Sequence, residues 1–365
     1  MNTVSSQQTG IPAGDGESGH APPLFVVGVW RSGTTLLHVL LNQHPDIGLF
    51  YESDLAVLWP MFRLPWGRKT WVDKWEYWSA GVSRHGLDPL RLASPITSLA
   101  EAAELAGREY SGKKGGKIWG CKSPSYYDRL VFLAREFPEA RFVVIWRDPE
   151  EICRSVIQAA ASGNPWFARQ GMAYRALLAC ETLKQQCDRL LSMGVSVHQI
   201  HYRDLVDNTS NTMRGICEFL EIPFTQEVTV LDGADRSSLF EGTHHALAKG
   251  TSIVSRRERA GALPPAIASK IQRYQALWKA EAGDSWLLCQ HVSETGEAKP
   301  GIWERFTDRI WFRVLRLIDS APRVLYSILP LPLWRAYRFL KYRDAQYVHR
   351  KITNKPTTIR DNFGR

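Results

Sequence analysis

Residues 24–41 of this chain, LFVVGVWRSGTTLLHVLL, constrain the fold more than any other stretch. Residues 24–29 are apolar apart from Gly28 and rich in Val, the composition of a strand buried on both faces. Trp30, Arg31, Ser32 and Gly33 then make a turn, and Thr34 and Thr35 open a run in which Leu36, Leu37, Leu40 and Leu41 have helical spacing. A strand of that kind needs helices over both of its faces, so a layered α/β domain is expected.

The turn suits an anion. Gly33 lets the backbone approach a ligand closely, the first N–H groups of the helix are unpaired, and the helix dipole places partial positive charge at the same point. Arg31 adds a full charge, and Ser32, Thr34 and Thr35 add hydroxyl donors. The spacing Gly28-x4-Gly33 is that of a nucleoside triphosphate loop, yet Thr34 stands where a lysine would reach the terminal phosphates. A phosphate is therefore expected, in a pose different from that of an NTPase. An ordinary βα turn containing a glycine is the plainer alternative.

The order Arg31-Ser32-Gly33-Thr34-Thr35 after a strand resembles the phosphosulfate loop of sulfotransferases that use 3′-phosphoadenosine 5′-phosphosulfate (PAPS). The resemblance is strongest to the Golgi-type and bacterial branch that includes the tyrosylprotein sulfotransferases. In that branch a glutamate 21 residues beyond the loop arginine acts as base, and Glu52 stands 21 beyond Arg31. The resemblance implies a P-loop-type central parallel β-sheet flanked by helices, PAPS as donor with no metal, and sulfuryl transfer to a hydroxyl or amine. Asp54 and His85 are the alternative bases should Glu52 serve only to pair Arg31 or Lys122.

A second block spans residues 116–158. Its pattern predicts a strand at 117–121, a helix at 126–137, a strand at 141–146 and a helix after it. Asp148 is placed to cap that helix, with Pro149 first and Glu151 third in its opening turn. The alternation implies right-handed crossovers and a parallel sheet, with ligands at the carboxyl ends of the strands. Arg147 ends one of those strands, and Ser155 lies eight residues on, two turns along the helix, so both can face one crevice. The resemblance assigns this Arg-x7-Ser pair to the 3′-phosphate of the nucleotide; a capping Arg and a helix-surface Ser are the plainer reading.

Lys122 also falls at a strand's carboxyl end, in GCKSP. It resembles the Asn-Lys-x-Pro element of the family with Cys121 in place of Asn, and implies a cation for the leaving oxygen. Tyr202-Arg203-Asp204-Leu205, after a strand within 195–205, resembles the family's Tyr-Glu-x-Leu element and makes Tyr202 a candidate for the adenosine pocket. Ser252, Ser255, Arg256 and Arg257 stand where relatives carry a loop over the nucleotide, although such a basic run is equally a solvated face. Helices are further expected at 166–193, 213–223 and 265–278.

With 365 residues, 44% of them apolar, the chain can hold one large α/β domain with additions. Residues 1–22 are rich in Gly, Ser, Pro and Gln and read as a disordered tail; the domain is expected over 23–295. Within it, 54–116 reads as a helical insertion or lid, where Trp59, Trp66, Trp71, Trp75 and Trp78 offer aromatic walls for a sugar, phenol or acyl chain, or a satellite core. It ends in a glycine- and lysine-rich stretch, 111–117, that reads as a mobile basic loop. The six cysteines, at 121, 153, 180, 187, 217 and 289, form no CxxC or zinc-spaced set, which suits buried thiols in a reducing, cytoplasmic compartment. No leader or membrane-spanning run is visible, an arrangement expected of a bacterial or cytosolic enzyme.

Charge is placed unevenly. Residues 301–365 hold fourteen Lys and Arg against five Asp and Glu, a net +9 equal to that of the whole chain. Within this basic helical extension, 296–365, Trp303, Phe306, Ile310, Val314 and Leu317 keep helical spacing, with Arg305, Arg309, Arg313 and Arg316 on another side. Such a helix either lies on a membrane surface at the inner face of the cell or docks on the body or a second subunit. Nucleic acid is not expected, because the body carries no basic excess. Two further readings of the whole chain stay open from the residues: a P-loop kinase for a small molecule, and a nucleotide-binding module without catalysis, tethered by its tail.

Overall fold

The computed structural model describes residues 21–52, 85–87, 99–164, 167–168, 171–237, 239, 251–253, 263–282 and 299–328. Five parallel strands form one sheet: β1 (Leu24–Val27), β2 (Ile47–Tyr51), β3 (Ile118–Lys122), β4 (Arg141–Trp146) and β5 (Val197–His201), in the order β2-β3-β1-β4-β5. The helices are α1 (Thr34–Leu41), α2 (Leu99–Lys113), α3 (Leu130–Glu136), α4 (Pro149–Ala161), α5 (Met172–Ser192), α6 (Tyr202–Asp207), α7 (Thr209–Leu220), α8 (Pro265–Ala282) and α9 (Ile302–Ile328).

Strand β1 lies at the centre, paired with β3 on one side and β4 on the other, and all four of its residues are buried. The strand period of two divides it between two cores. Leu24 and Val26 join Leu37, Leu40, Met213 and Ile216 on the face covered by α1 and α7. Phe25 and Val27 join Leu130, Ile152, Leu177 and Trp278 on the face covered by α3, α4, α5 and α8. The direction of travel explains this split. From β1 the chain moves toward the β2 edge, whereas every later crossover moves the other way, and right-handed crossovers then place α1 on the opposite face from α3 to α5.

Three local expectations need correction. The strand Ile47–Tyr51 carried no sequence assignment, yet it is fully buried and forms the β2 edge. The helix expected from 126 begins at Leu130, after a 3-10 turn at Pro124–Tyr126 that Ser123 caps by accepting from the Ser125 N–H. The stretch 111–117 is no open loop: Ser111 Oγ donates to the Gly116 and Ile118 carbonyls at 2.7 and 3.1 Å, and Gly116 N donates back to the Ser111 carbonyl at 2.8 Å. Helix α2, whose last three residues are the first three of this stretch, packs against β2 and β3 and so belongs to the sheet's cover. The five tryptophans, Asp54, Ser255, Arg256, Arg257 and the chain beyond 328 lie outside the described residues.

Cys121, Cys153, Cys180, Cys187 and Cys217 are buried free thiols. Burial pushes the Cys153 thiol up to about 12, so it is a packing residue at neutral pH. Among the described residues no helix is long and apolar enough to cross a membrane.

Candidate functional site

At the carboxyl ends of β1, β2, β3 and β4 the candidate residues gather in two groups, on either side of the β1 turn. The turn itself closes with Ser32 N donating to the Val29 carbonyl at 3.0 Å. Gly33 then occupies the left-handed region at φ 100 and starts α1 with no side-chain cap, so the helix's leading N–H groups are left for another acceptor. Glycine is required at 33, because a Cβ there would overlap the Tyr202 ring. Arg31 is left-handed as well, at φ 68. A non-glycine residue stays in that region only where its surroundings hold it.

The holding groups come from β4 and α4. Arg147 Nη1 donates to the Arg31 carbonyl at 2.8 Å, and Arg31 Nε donates to Ser155 Oγ at 2.9 Å. Arg147 and Ser155 therefore face the loop together, as their spacing suggested. The Arg147 guanidinium stacks 4.3 Å from the centre of the Tyr202 ring, the ring that rests against Gly33. Arg147 Nε also bonds Glu151 Oε2 at 3.0 Å, while Arg203 Nη2 bonds Glu151 Oε1 at 2.7 Å. Burial works against the Glu151 charge, but the hydrogen bonds from Arg203 and Arg147 hold its carboxyl below the usual range. Asp148 caps α4 through the Glu150 N–H at 2.7 Å, as predicted; Glu151 faces the two arginines instead of completing a capping box.

The second group sits on the β3 side. Lys122 is fully buried, with Nζ 2.7 Å from Glu52 Oε1, 3.4 Å from Thr35 Oγ1 and 3.7 Å from the centre of the Tyr51 ring. The register makes this contact: Tyr51 is the partner of Lys122 across β2 and β3, and Glu52 follows with its N–H on the Lys122 carbonyl at 2.8 Å. Glu52 is also left-handed, at φ 50, which turns its side chain out of the strand's alternation and toward Lys122.

Ser32, Thr34 and Thr35 are buried, and Ser32 Oγ has no hydrogen-bond partner among the described residues. An orphaned hydroxyl beside an uncapped helix start is a donor set waiting for an anion. Ser252 is exposed. His85 supports a strand instead: its Nε2 accepts the Tyr51 N–H at 3.2 Å, and its ring meets Phe50 and Tyr110. Glu151, Arg203 and His38 are additions. The i, i+4 spacing of Arg147 and Glu151 was the one local signal for them. His38, buried on α1 behind Lys122, has its pKa driven well down by burial first and then by Lys122, so it is neutral.

Residues 22–226 match the profile described as the Sulfotransferase family. Protein-tyrosine sulfotransferase 1 of Danio rerio is 28% identical over 210 residues, 57% of this chain and 55% of that protein. Protein-tyrosine sulfotransferase A of Caenorhabditis elegans is 26% identical over 226 residues, 61% of this chain and 56% of that protein. The chain thus spans about half the length of these relatives. Among solved structures, the sulfotransferase domain from the curacin biosynthetic pathway aligns with TM-score 0.50 at 19% identity, covering 70% of this chain and 98% of that one. The profile covers more than half of the chain, and the chain belongs to the Sulfotransferase family.

Proposed function

We propose that the chain transfers a sulfuryl group from PAPS to a hydroxyl or amine of an acceptor. The observation that carries this reading is the Glu52–Lys122 pair at 2.7 Å, set beside Thr35 of a turn whose other side holds Arg31, Ser155 and Arg147. Cations, hydroxyls and a carboxylate gather from the ends of four strands and from two helices.

The residues present fit the donor. Ser32 Oγ is buried and unpartnered among the described residues, α1 begins without a cap, and Gly33 seats Tyr202 against the turn. Arg31, Ser32, Gly33, Thr34 and Thr35 would hold the 5′-phosphosulfate, Arg147 and Ser155 the 3′-phosphate, and Tyr202 the adenosine. PAPS supplies an activated sulfuryl group whose transfer leaves adenosine 3′,5′-bisphosphate.

Glu52 accepts the proton of the acceptor hydroxyl or amine. Lys122 fixes the Glu52 carboxylate, lies within reach of Thr35, and with Arg31 offsets negative charge on the departing phosphate oxygen. A phenolic hydroxyl is the first acceptor to assay, since the named relatives are protein-tyrosine sulfotransferases.

A thermal-shift comparison tests the donor. Adenosine 3′,5′-bisphosphate without metal is expected to raise the melting temperature in proportion to RT ln(1 + [L]/Kd), and ATP with magnesium to leave it unchanged. Stabilisation by ATP with magnesium alone would transfer the chain to the kinase reading. Transfer of labelled sulfate from PAPS to a tyrosine-containing peptide or a simple phenol then tests the reaction.

A further inference from the structure

Helix α9 is docked with the wrong side out. A helix lying on a protein body ordinarily turns its apolar stripe inward. Here the inward side is charged: Asp308 accepts from Tyr174 and Lys270 at 2.6 Å each and from Tyr274 at 3.0 Å, and Glu304 pairs with Lys270 and Arg273. Arg305 and Arg309 reach Glu181 at 3.4 and 3.5 Å, and Phe312 is the buried apolar residue beside Asp308. These contacts fasten α9 to α5 and α8.

The opposite side is apolar and open. Ile302 is 80% exposed, Trp303 76%, Phe306 54%, Ile310 44% and Leu317 67%. At about 100° per residue these five fall within an arc of roughly 100°, centred opposite Asp308 and Phe312. The stripe runs for about 22 Å along the helix. Scattered exposed apolar residues are ordinary, but five large ones gathered on one side of a helix mark a binding surface.

We propose that this stripe is a docking surface for an anionic lipid membrane, on which α9 lies in the plane of the headgroups. Charge selects lipid over a second copy of the chain. Arg313 is exposed inside the arc, whereas the two acidic residues of this part of the helix, Glu304 and Asp308, are turned inward and paired. A two-fold dimer would draw Arg313 of both copies into a dry seam with no carboxylate from the same face. A headgroup layer accepts it, and Trp303 suits the boundary between headgroup and acyl chain. The net +9 of residues 301–365 adds to the same attraction. The inference is independent of the reaction proposed above.

Flotation of the full chain with phosphatidylcholine vesicles, with and without phosphatidylglycerol, tests it. Association is expected only with the anionic vesicles and should weaken by about tenfold as salt is raised. The triple variant Trp303→Ser, Phe306→Ser, Ile310→Ser changes exposed side chains only, so its melting temperature should match that of the parent. Its vesicle partitioning should fall by about a hundredfold. Arg313→Gln, which leaves the stripe intact, should lose affinity for anionic vesicles alone. Absence of binding to anionic vesicles, or binding that the triple variant retains, overturns the proposal. So does a dimer of the vesicle-free protein, seen by sedimentation, that the triple variant dissociates, because that outcome gives the stripe to a second copy.

Discussion

The Lys122–Glu52 pair can be tested as a unit. At 2.7 Å and an effective dielectric near 20, the gross attraction between the two charges is about 6 kcal/mol. Most of that is returned as lost hydration, since Lys122 has no solvent contact. Removing one partner of a fully buried pair costs about 3–5 kcal/mol. Glu52 is 21% exposed, so a stranded carboxylate can turn partly to water, and about 2–3 kcal/mol is expected for Lys122→Met. Glu52→Gln keeps an acceptor oxygen but leaves a buried cation without its counter-charge, and a similar loss is expected.

A double-mutant cycle separates the pair from its surroundings. Urea unfolding of the ligand-free parent, Lys122→Met, Glu52→Gln and the double variant should give a coupling energy of at least about 1.5 kcal/mol. The functional readouts then diverge. Glu52→Gln should bind adenosine 3′,5′-bisphosphate as the parent does while turnover falls at least about 100-fold, the lower end for a general base. Lys122→Met should weaken binding of the bisphosphate and slow transfer together. A coupling below about 0.5 kcal/mol would mean that the contact is not formed in solution. Near-normal turnover by Glu52→Gln would remove it as the base.

Other substitutions probe the turn and its backing. Ser32→Ala removes a buried hydroxyl with no partner among the described residues, so ligand-free stability should hold or rise by up to about 1 kcal/mol while calorimetric affinity for the bisphosphate drops about tenfold. Gly33→Ala forces a Cβ into the Tyr202 ring at φ 100, which should cost about 2–3 kcal/mol in urea unfolding and disturb the stack of Tyr202 on Arg147. At φ 50, Glu52→Gly should be the more stable of the pair Glu52→Gly and Glu52→Ala, by about 1 kcal/mol. His38 is held neutral, chiefly by burial, well below its ordinary value of 6.5, so its contribution is complete above pH 6.5 and is lost as pH falls toward the lowered value. Unfolding free energy of the parent should decline on acidification through that window by up to about 1.4 kcal/mol per pH unit for one proton, and His38→Asn should decline less.

Much of this arrangement is written locally. The β1 run, the glycine turn and the Leu spacing of α1 each follow from short-range chemistry, and Asp148 and Pro149 mark the start of α4 as plainly. Strand β2 is different. Five residues, IGLFY, are too few to separate strand from buried helix by period, and what makes them a strand is pairing with β3, 71 residues away at Ile47 and Ile118. Glu52 and Lys122 were therefore readable singly, while their contact depended on a register no local pattern encodes. The same holds for α9. Its apolar stripe shows in the spacing, but the inward side is decided by Tyr174, Lys270 and Tyr274, which two other helices bring to Asp308.

Among the described residues Glu151 and Glu52 both lie at the carboxyl ends of the strands, in different surroundings. Glu151 has both oxygens taken, Oε1 by Arg203 and Oε2 by Arg147, and those bonds hold it ionised. Protonating it would break two charge-assisted bonds at once, so it serves as a fixed anion that aims two arginines. Glu52 is engaged at Oε1 alone, by Lys122, and Oε2 receives no hydrogen bond from the described residues. Of these two carboxylates, Glu52 is the one with an oxygen that takes no hydrogen bond among the described residues, and its backbone at φ 50 carries the side chain to Lys122. For the proposed transfer, the unengaged oxygen makes Glu52 rather than Glu151 the base to test, with the 21-residue spacing from Arg31 as a separate reason.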